Sequence, residues 1–317
     1  NIQIWNKISQ NNSIKWGVWG AMNAPSGDSK GKCFFLPDPW SFDEEAYPNI
    51  LNYLLSLPRY IALNYISPKF SKILKYSFIS LIFLIKNSGI GITRKIIKKT
   101  FLAFFTTGIN IHSLTTLFDY VNCLYFIKYK KKYKTDFSLI FLNHIAHLQH
   151  SFWIGNSRIS NQMKFGLIIC DEILGELKKN IDKNESIILM NGLKQNNIYK
   201  QGSFVYRQKD PIEFFEKFLP IKCTIKQNMT NDGTLIFNNS LDADKAEKLI
   251  KSIKLKFKKS NLYYVERISS VKIFYQIEIS TKIRLDEELI LNNNNYGFYE
   301  YIEIYAERTG AHNPEGD

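Results

Sequence analysis

The chain has five histidines, and three of them fall within seven residues of one stretch, LIFLNHIAHLQHSFW, at His144, His147 and His150. Neutral imidazole is the commonest metal ligand among side chains, and zinc or a similar ion takes three or four such donors. If the stretch is helical, positions i, i+3 and i+6 span about 120° of the wheel, so the three rings can face one cavity. The bland alternative is three core or surface histidines that happen to be close. A fourth, His312, lies in TGAHNPEG, a Gly-flanked turn after a strand-like run, where a side chain can be presented to a site. His112, in GINIHSL, has no such context and reads as structural.

The elements around these residues suggest how they are held. FSLIFLN (Phe137–Asn143) is an apolar run with strand character, the histidine segment follows it, and residues 161–180 repeat apolar residues on one side of a helix. SIILM (Ser186–Met190) then reads as a second strand, which completes a βαβ unit and predicts a parallel sheet with a right-handed crossover. In such sheets ligands bind beyond the carboxyl ends of the strands. The histidines occupy one such end and NGLKQNN (Asn191–Asn197) the other, which adds Asn143, Asn191 and Gln195 as candidate lining residues.

Upstream, IKWGVW (14–19) reads as a buried strand. A long loop follows, KGKCFFLPDPWSFDEEAYP, whose Trp40 and Tyr47 could belong to a lid. Residues 49–127 read as several helices forming a cap. Within them YSFISLIFLI (Tyr76–Ile85) is too short to cross a bilayer, which takes about 20 residues, and reads as a buried helix. KYKKKYK (Lys128–Lys134) reads as a solvated connector. From 206 to 280 the texture changes. DPIEFFEKFL and DADKAEKLIKSI are amphipathic helices, the second with an Asp cap candidate, and NDG (Asn231–Gly233) marks a hairpin between CTIKQNM and TLIFN. The expected organisation is an α/β core over 1–205 with the helical cap at about 49–127, an inserted α+β subdomain over 206–280, and a return to the core over 281–317.

Composition narrows the function classes. A hydrophobic content of 45% with 22% charged residues is globular. The net charge of +13 invites a nucleic-acid reading, but arginine, whose planar fork suits phosphates and base edges, occurs only seven times among 42 basic residues. The Lys-, Asn- and Ile-rich drift is explained more simply by AT-rich coding, and no nucleic-acid partner is expected. Four scattered cysteines without a C-x-x-C pair exclude a zinc ribbon and offer no disulfide framework. Asn1 in place of Met, and the ending NPEGD, read as cut ends.

Taken in order, WGVWGAMNAP, CFFLPDPWSFDEEAYP, LIFLNHIAHLQHSFW, ILMNGLKQ and RTGAHNPEG resemble motifs of the alkaline phosphatase superfamily, in particular its type I phosphodiesterase/nucleotide pyrophosphatase branch. The resemblance implies a mostly parallel sheet with flanking helices, a helical cap, a small inserted α+β subdomain, and hydrolysis of phosphoesters with two metal ions and a Thr or Ser nucleophile. One metal of that branch takes an Asp, a His four residues later and a distant His. His150 and His312 match the two histidines, whereas the Asp position falls on Ala146 and leaves His147 or His144 to fill the gap. The second site relies on Ser-Asp-His-Gly, where this chain has Asn191 and Gly192 in place of Asp and His, so a second ion is doubtful. The nucleophile is expected on a segment before residue 1. The implied cofactor is one divalent ion, zinc or alternatively manganese, and the implied partner is a phosphoester substrate. Three readings follow: a divergent phosphodiesterase or phosphatase, a catalytically silent relative that binds a phosphorylated or glycan ligand, and a basic RNA- or membrane-surface-binding protein.

Overall fold

The computed structural model describes the chain except at residues 1–2, 12, 28–29, 65–67, 109, 156–158, 193, 229–230 and 313–317. The chain divides into two units, Asn1–Asn196 with His312–Asp317, and Asn197–Ala311. Both mix helices with small sheets.

The first unit begins with α1 (Ile4–Ile8), β1 (Trp16–Ala21) and β2 (Lys32–Pro37), followed by α2 (Asn52–Leu63), α3 (Phe70–Thr107) and α4 (Ile111–Tyr133). Then come β3 (Phe137–Ile140), α5 (His144–Phe152), α6 (Asn161–Lys179) and β4 (Gln195–Asn197). Its sheet has three parallel strands in the order β2-β1-β3. The central strand, WGVWGA, is buried at nearly every position because it is covered on both faces, as parallel sheets require. Gly17 has a packing reason: a Cβ there would lie 2.2 Å from the ring of Phe34, which sits edge-on to Trp19 and Phe126.

Four expectations change here. The segment expected to be a long loop contains β2, because its apolar run KCFFLP fills the sheet edge beside β1. SIILM is not a strand: Ile187, Ile188, Leu189 and Met190 are exposed and unpaired with the sheet, so the parallel sheet stays at three strands. The lysine run lies inside the last turns of α4, where cations suit the carbonyl end of a helix and Lys130 reaches Glu185 at 2.5 Å. Finally, Tyr76–Ile85 belongs to the 38-residue α3, most of which is exposed rather than buried. Among the described residues α3 alone is long and apolar enough to cross a membrane by length and composition.

α4 is the spine of this unit. Its buried residues run unbroken from Asp119 to Ile127, with the sheet, α3, α5 and α6 around it. Asn110 caps its start by accepting from the Ser113 N–H, and Ser160 does the same for α6 at the Met163 N–H. α6 closes on α5 at Gly166, where a Cβ would lie 2.2 Å from a methyl of Leu148.

The second unit contains β5 (Ser203–Gln208), α7 (Pro211–Phe218), β6 (Thr224–Gln227), β7 (Asp232–Ile236), α8 (Ser240–Ser252), β8 (Lys254–Leu255), β9 (Tyr263–Ser269) and β10 (Lys272–Ile277). It continues through β11 (Glu288–Leu291), β12 (Asn294–Gly297), α9 (Phe298–Tyr301) and β13 (Ile302–Arg308), and β14 (Gly310–His312) follows. A four-stranded antiparallel sheet, β6-β7-β10-β9, is joined by β12-β11-β8 and by the pair β13-β5. The unit starts earlier and ends later than the expected 206–280, because β5 needs β13 as its partner and Tyr206, Phe298 and Ile302 complete the same core. The β6–β7 hairpin forms, with Asp232 and Gly233 already in β7. α8 is capped by Asn239 rather than by an Asp, through the N–H of Asp242.

Candidate functional site

The histidine segment is helical, and α5 starts three residues after β3, at the carboxyl end of a parallel strand. What fixes its first turn is a residue with no sequence motif around it, Asp119 on α4. One carboxylate oxygen of Asp119 accepts the backbone N–H of Asn143 at 2.8 Å and of His144 at 2.9 Å, and lies 2.9 Å from His144 Nδ1. Two otherwise orphaned donors of a helix N-terminus are thereby satisfied by an anion, which the helix dipole also favours there.

His144 is sealed between these elements, its side chain 1% exposed. Burial by itself disfavours the imidazolium, but the bond to Asp119, reinforced by Cys170, reverses the balance and raises the pKa to about 9. At neutral pH His144 is therefore a cation paired with a buried carboxylate, with Nδ1 committed to Asp119. His147 has an open edge and lies 3.2 Å through Nε2 from the Asn143 amide. Burial of its ring, opposed by the charge of Asp119, leaves its pKa below the usual histidine value. His112 packs edge-on against Phe152, with ring centres 4.7 Å apart, and burial together with nearby His147 lowers its pKa as well.

His150 and His312 form a separate pair. β14 ends at His312 and pairs with β4, which begins at Gln195. The two imidazoles meet edge to face with centres 4.9 Å apart. Gln195 Nε2 is 3.4 Å from His150 Nε2 and 3.3 Å from the Ala146 carbonyl, while its Oε1 is buried with no partner among the described residues. His312 is exposed and His150 half-buried, so the pair is open to a ligand.

The four histidines singled out from the sequence thus fall into two sets, His144 and His147 around Asp119, and His150 with His312. Of the proposed lining residues, Asn143 belongs to the first set and Gln195 to the second, while Asn191 lies in exposed coil. Among the described residues, no three His, Cys, Asp or Glu side chains converge as a metal-holding group. Two imidazoles can offer two neutral donors to one divalent ion, leaving positions for water or substrate, whereas Gln195 turns its amide N–H group, not its oxygen, towards His150 and braces that ring; the set does not fit a pair of ions. The residue that sequence reasoning missed is Asp119, and its signal is an acid set in the apolar run TTLFDYVNCLYF.

Compared with known proteins, the chain matches no family model, no curated protein and no solved structure.

Proposed function

We propose that the chain is a divergent phosphoester-handling protein, of the type I phosphodiesterase-like kind within the alkaline phosphatase superfamily, with a single divalent metal site at His150 and His312. The observation that carries this reading is the meeting of His150 and His312. They are the two histidines the motif resemblance selects, they lie far apart in the chain, and their ring centres are 4.9 Å apart. The resemblance further entails a wider, mostly parallel sheet around the three strands described above. A bound zinc or manganese ion would supply a centre of positive charge for a phosphoryl oxygen. This chain's own residues would hold the ion and orient it: Gln195 braces His150, and α5, pinned by Asp119, sets the angle at which His150 is presented.

A second reading, a catalytically silent relative that binds a phosphorylated or glycan ligand, draws on the donor set itself. It contains no carboxylate to offset the charge of an ion, and no residue of this chain is assigned as nucleophile. Metal content of the purified protein, measured beside His150→Ala/His312→Ala, decides the metal reading. Roughly one zinc or manganese per chain, lost in the double variant, is the expected result. A wild-type protein without bound metal after growth with zinc and manganese would sink it. Turnover of an activated phosphodiester by the metal-loaded protein then separates the hydrolase from the silent binder.

A further inference from the structure

Helix α3 leaves an apolar face uncovered. In its first half Phe70, Leu74, Phe78, Leu81 and Ile85 are each half exposed or more. At 100° per residue the five fall within about 80° of the helix wheel, a single stripe. The packed side of this half is a different one. Tyr76 stacks on Tyr60 of α2, Ser80 bonds to Ser56 and to the Tyr53 carbonyl, and Phe83 lies against Tyr125 of α4. Gly89, at φ 68°, interrupts the helix. Beyond it Ile90, Ile97, Phe101, Phe104 and Phe105 are again half exposed or more, and again occupy one stripe about 100° wide. Single exposed apolar residues are ordinary, but two ordered stripes of five mark a surface that something covers.

The charge around these stripes says what covers them. From Ala46 to Phe118 the sequence contains no Asp or Glu and nine Lys or Arg, so this one segment supplies nine of the net +13. Lys95 and Lys99 are tied to Glu176 and Glu172 of α6. Lys72, Lys75, Lys86, Arg94 and Lys98 are exposed on α3 itself. Arg94 and Lys98 lie at the second apolar stripe, Lys75 lies about 60° round from the edge of the first, and Lys86 and Lys72 lie further round on that same side. An apolar stripe bordered by long cationic side chains matches a layer of hydrocarbon beneath a layer of anions, with the lysine stems lying on the apolar surface and their ammonium groups reaching the head groups.

We propose that the exposed face of α3 lies in the interface of a membrane rich in anionic lipid, with the helix parallel to the surface rather than spanning it. One flank of α3 is packed on protein, cations recur along both halves, and Gly89 breaks the run, each of which suits an interfacial element. Nucleic acid would use the cations but has no place for the aliphatic side chains. This inference is independent of the histidine site.

Flotation of the purified chain with vesicles tests it, using phosphatidylcholine alone and phosphatidylcholine with roughly one third phosphatidylserine. Wild-type protein is expected to float with the anionic vesicles, about tenfold more than with the neutral ones, and to be partly released by high salt. Phe78→Ser/Ile85→Ser/Phe105→Ser and, separately, Lys75→Glu/Arg94→Glu/Lys98→Glu are each expected to lose about tenfold of that recruitment. The substituted positions are exposed, and far-ultraviolet circular dichroism confirms that the helices are kept. Wild-type protein that stays soluble beside anionic vesicles would overturn the proposal. So would an apolar-face variant that floats as well as wild type, or a dimer in solution held by this face and indifferent to lipid.

Discussion

At the residue scale the most consequential contact is between Asp119 and His144. The carboxylate ties the first turn of α5 to α4 and holds a proton on an imidazole that burial would otherwise strip. Because the folded pKa of His144 is raised from 6.5 to about 9, its contribution to stability is fully present below 6.5 and is lost as pH rises towards and through 9. His112 acts in the opposite direction. Its pKa is lowered on folding, so stability falls as pH drops below 6.5. Thermal melts across this range are expected to show a maximum near neutrality, and Asp119→Asn is expected to flatten the alkaline limb. Removing the acid also leaves two buried N–H donors unpaired and lets burial strip the proton from His144, so Asp119→Ala is expected to cost about 1–3 kcal/mol in urea unfolding. An alkaline limb unchanged in Asp119→Asn would show that another group titrates there. The histidines themselves were legible as a cluster from their spacing. Their division into two sets was not, because one acid, distant in sequence, claims His144.

At the scale of elements, local pattern forecast the apolar strands and the amphipathic helices: β1, β3, α6, α7 and α8 lie close to where their sequences place them. It failed where burial depends on a neighbour. KCFFLP became a strand because β1 offered it an edge, and SIILM, with stronger strand character, is unpaired with the sheet. The close approach of α5 and α6 is equally invisible in sequence, since Gly166 looks like any glycine inside a helix. Gly166→Ala should raise helix propensity yet push into Leu148, and the steric effect is expected to win, destabilising the protein by about 1–3 kcal/mol. A chemical-denaturation midpoint equal to or above that of wild type would show that Leu148 moves aside at little cost.

At the scale of the whole molecule the chain is two units with separate cores. The second has its own sheets and a continuous apolar cluster built around Tyr206, Phe214, Phe215 and Tyr275. A polypeptide of residues 197–311 is therefore expected to fold alone, with a single cooperative thermal transition and dispersed amide resonances. A non-cooperative melt would mean that its core is incomplete by itself. The shift in texture near residue 206 announced this unit, but its boundaries came from the β5–β13 pairing, which joins strands nearly a hundred residues apart.

By itself the sequence determined what local chemistry can dictate: a folded chain mixing helices with short strands, an α+β unit in the second half, a histidine cluster just after an apolar strand, and a strong basic bias. Tertiary structure alone decided which histidines meet, that Asp119 fixes α5, that the parallel sheet has three described strands, and that the apolar side of α3 faces outward. The reason is physical. Periodicity records which side of an element is apolar, whereas the partner that side finds is set by contacts between residues remote in sequence, which no local pattern contains.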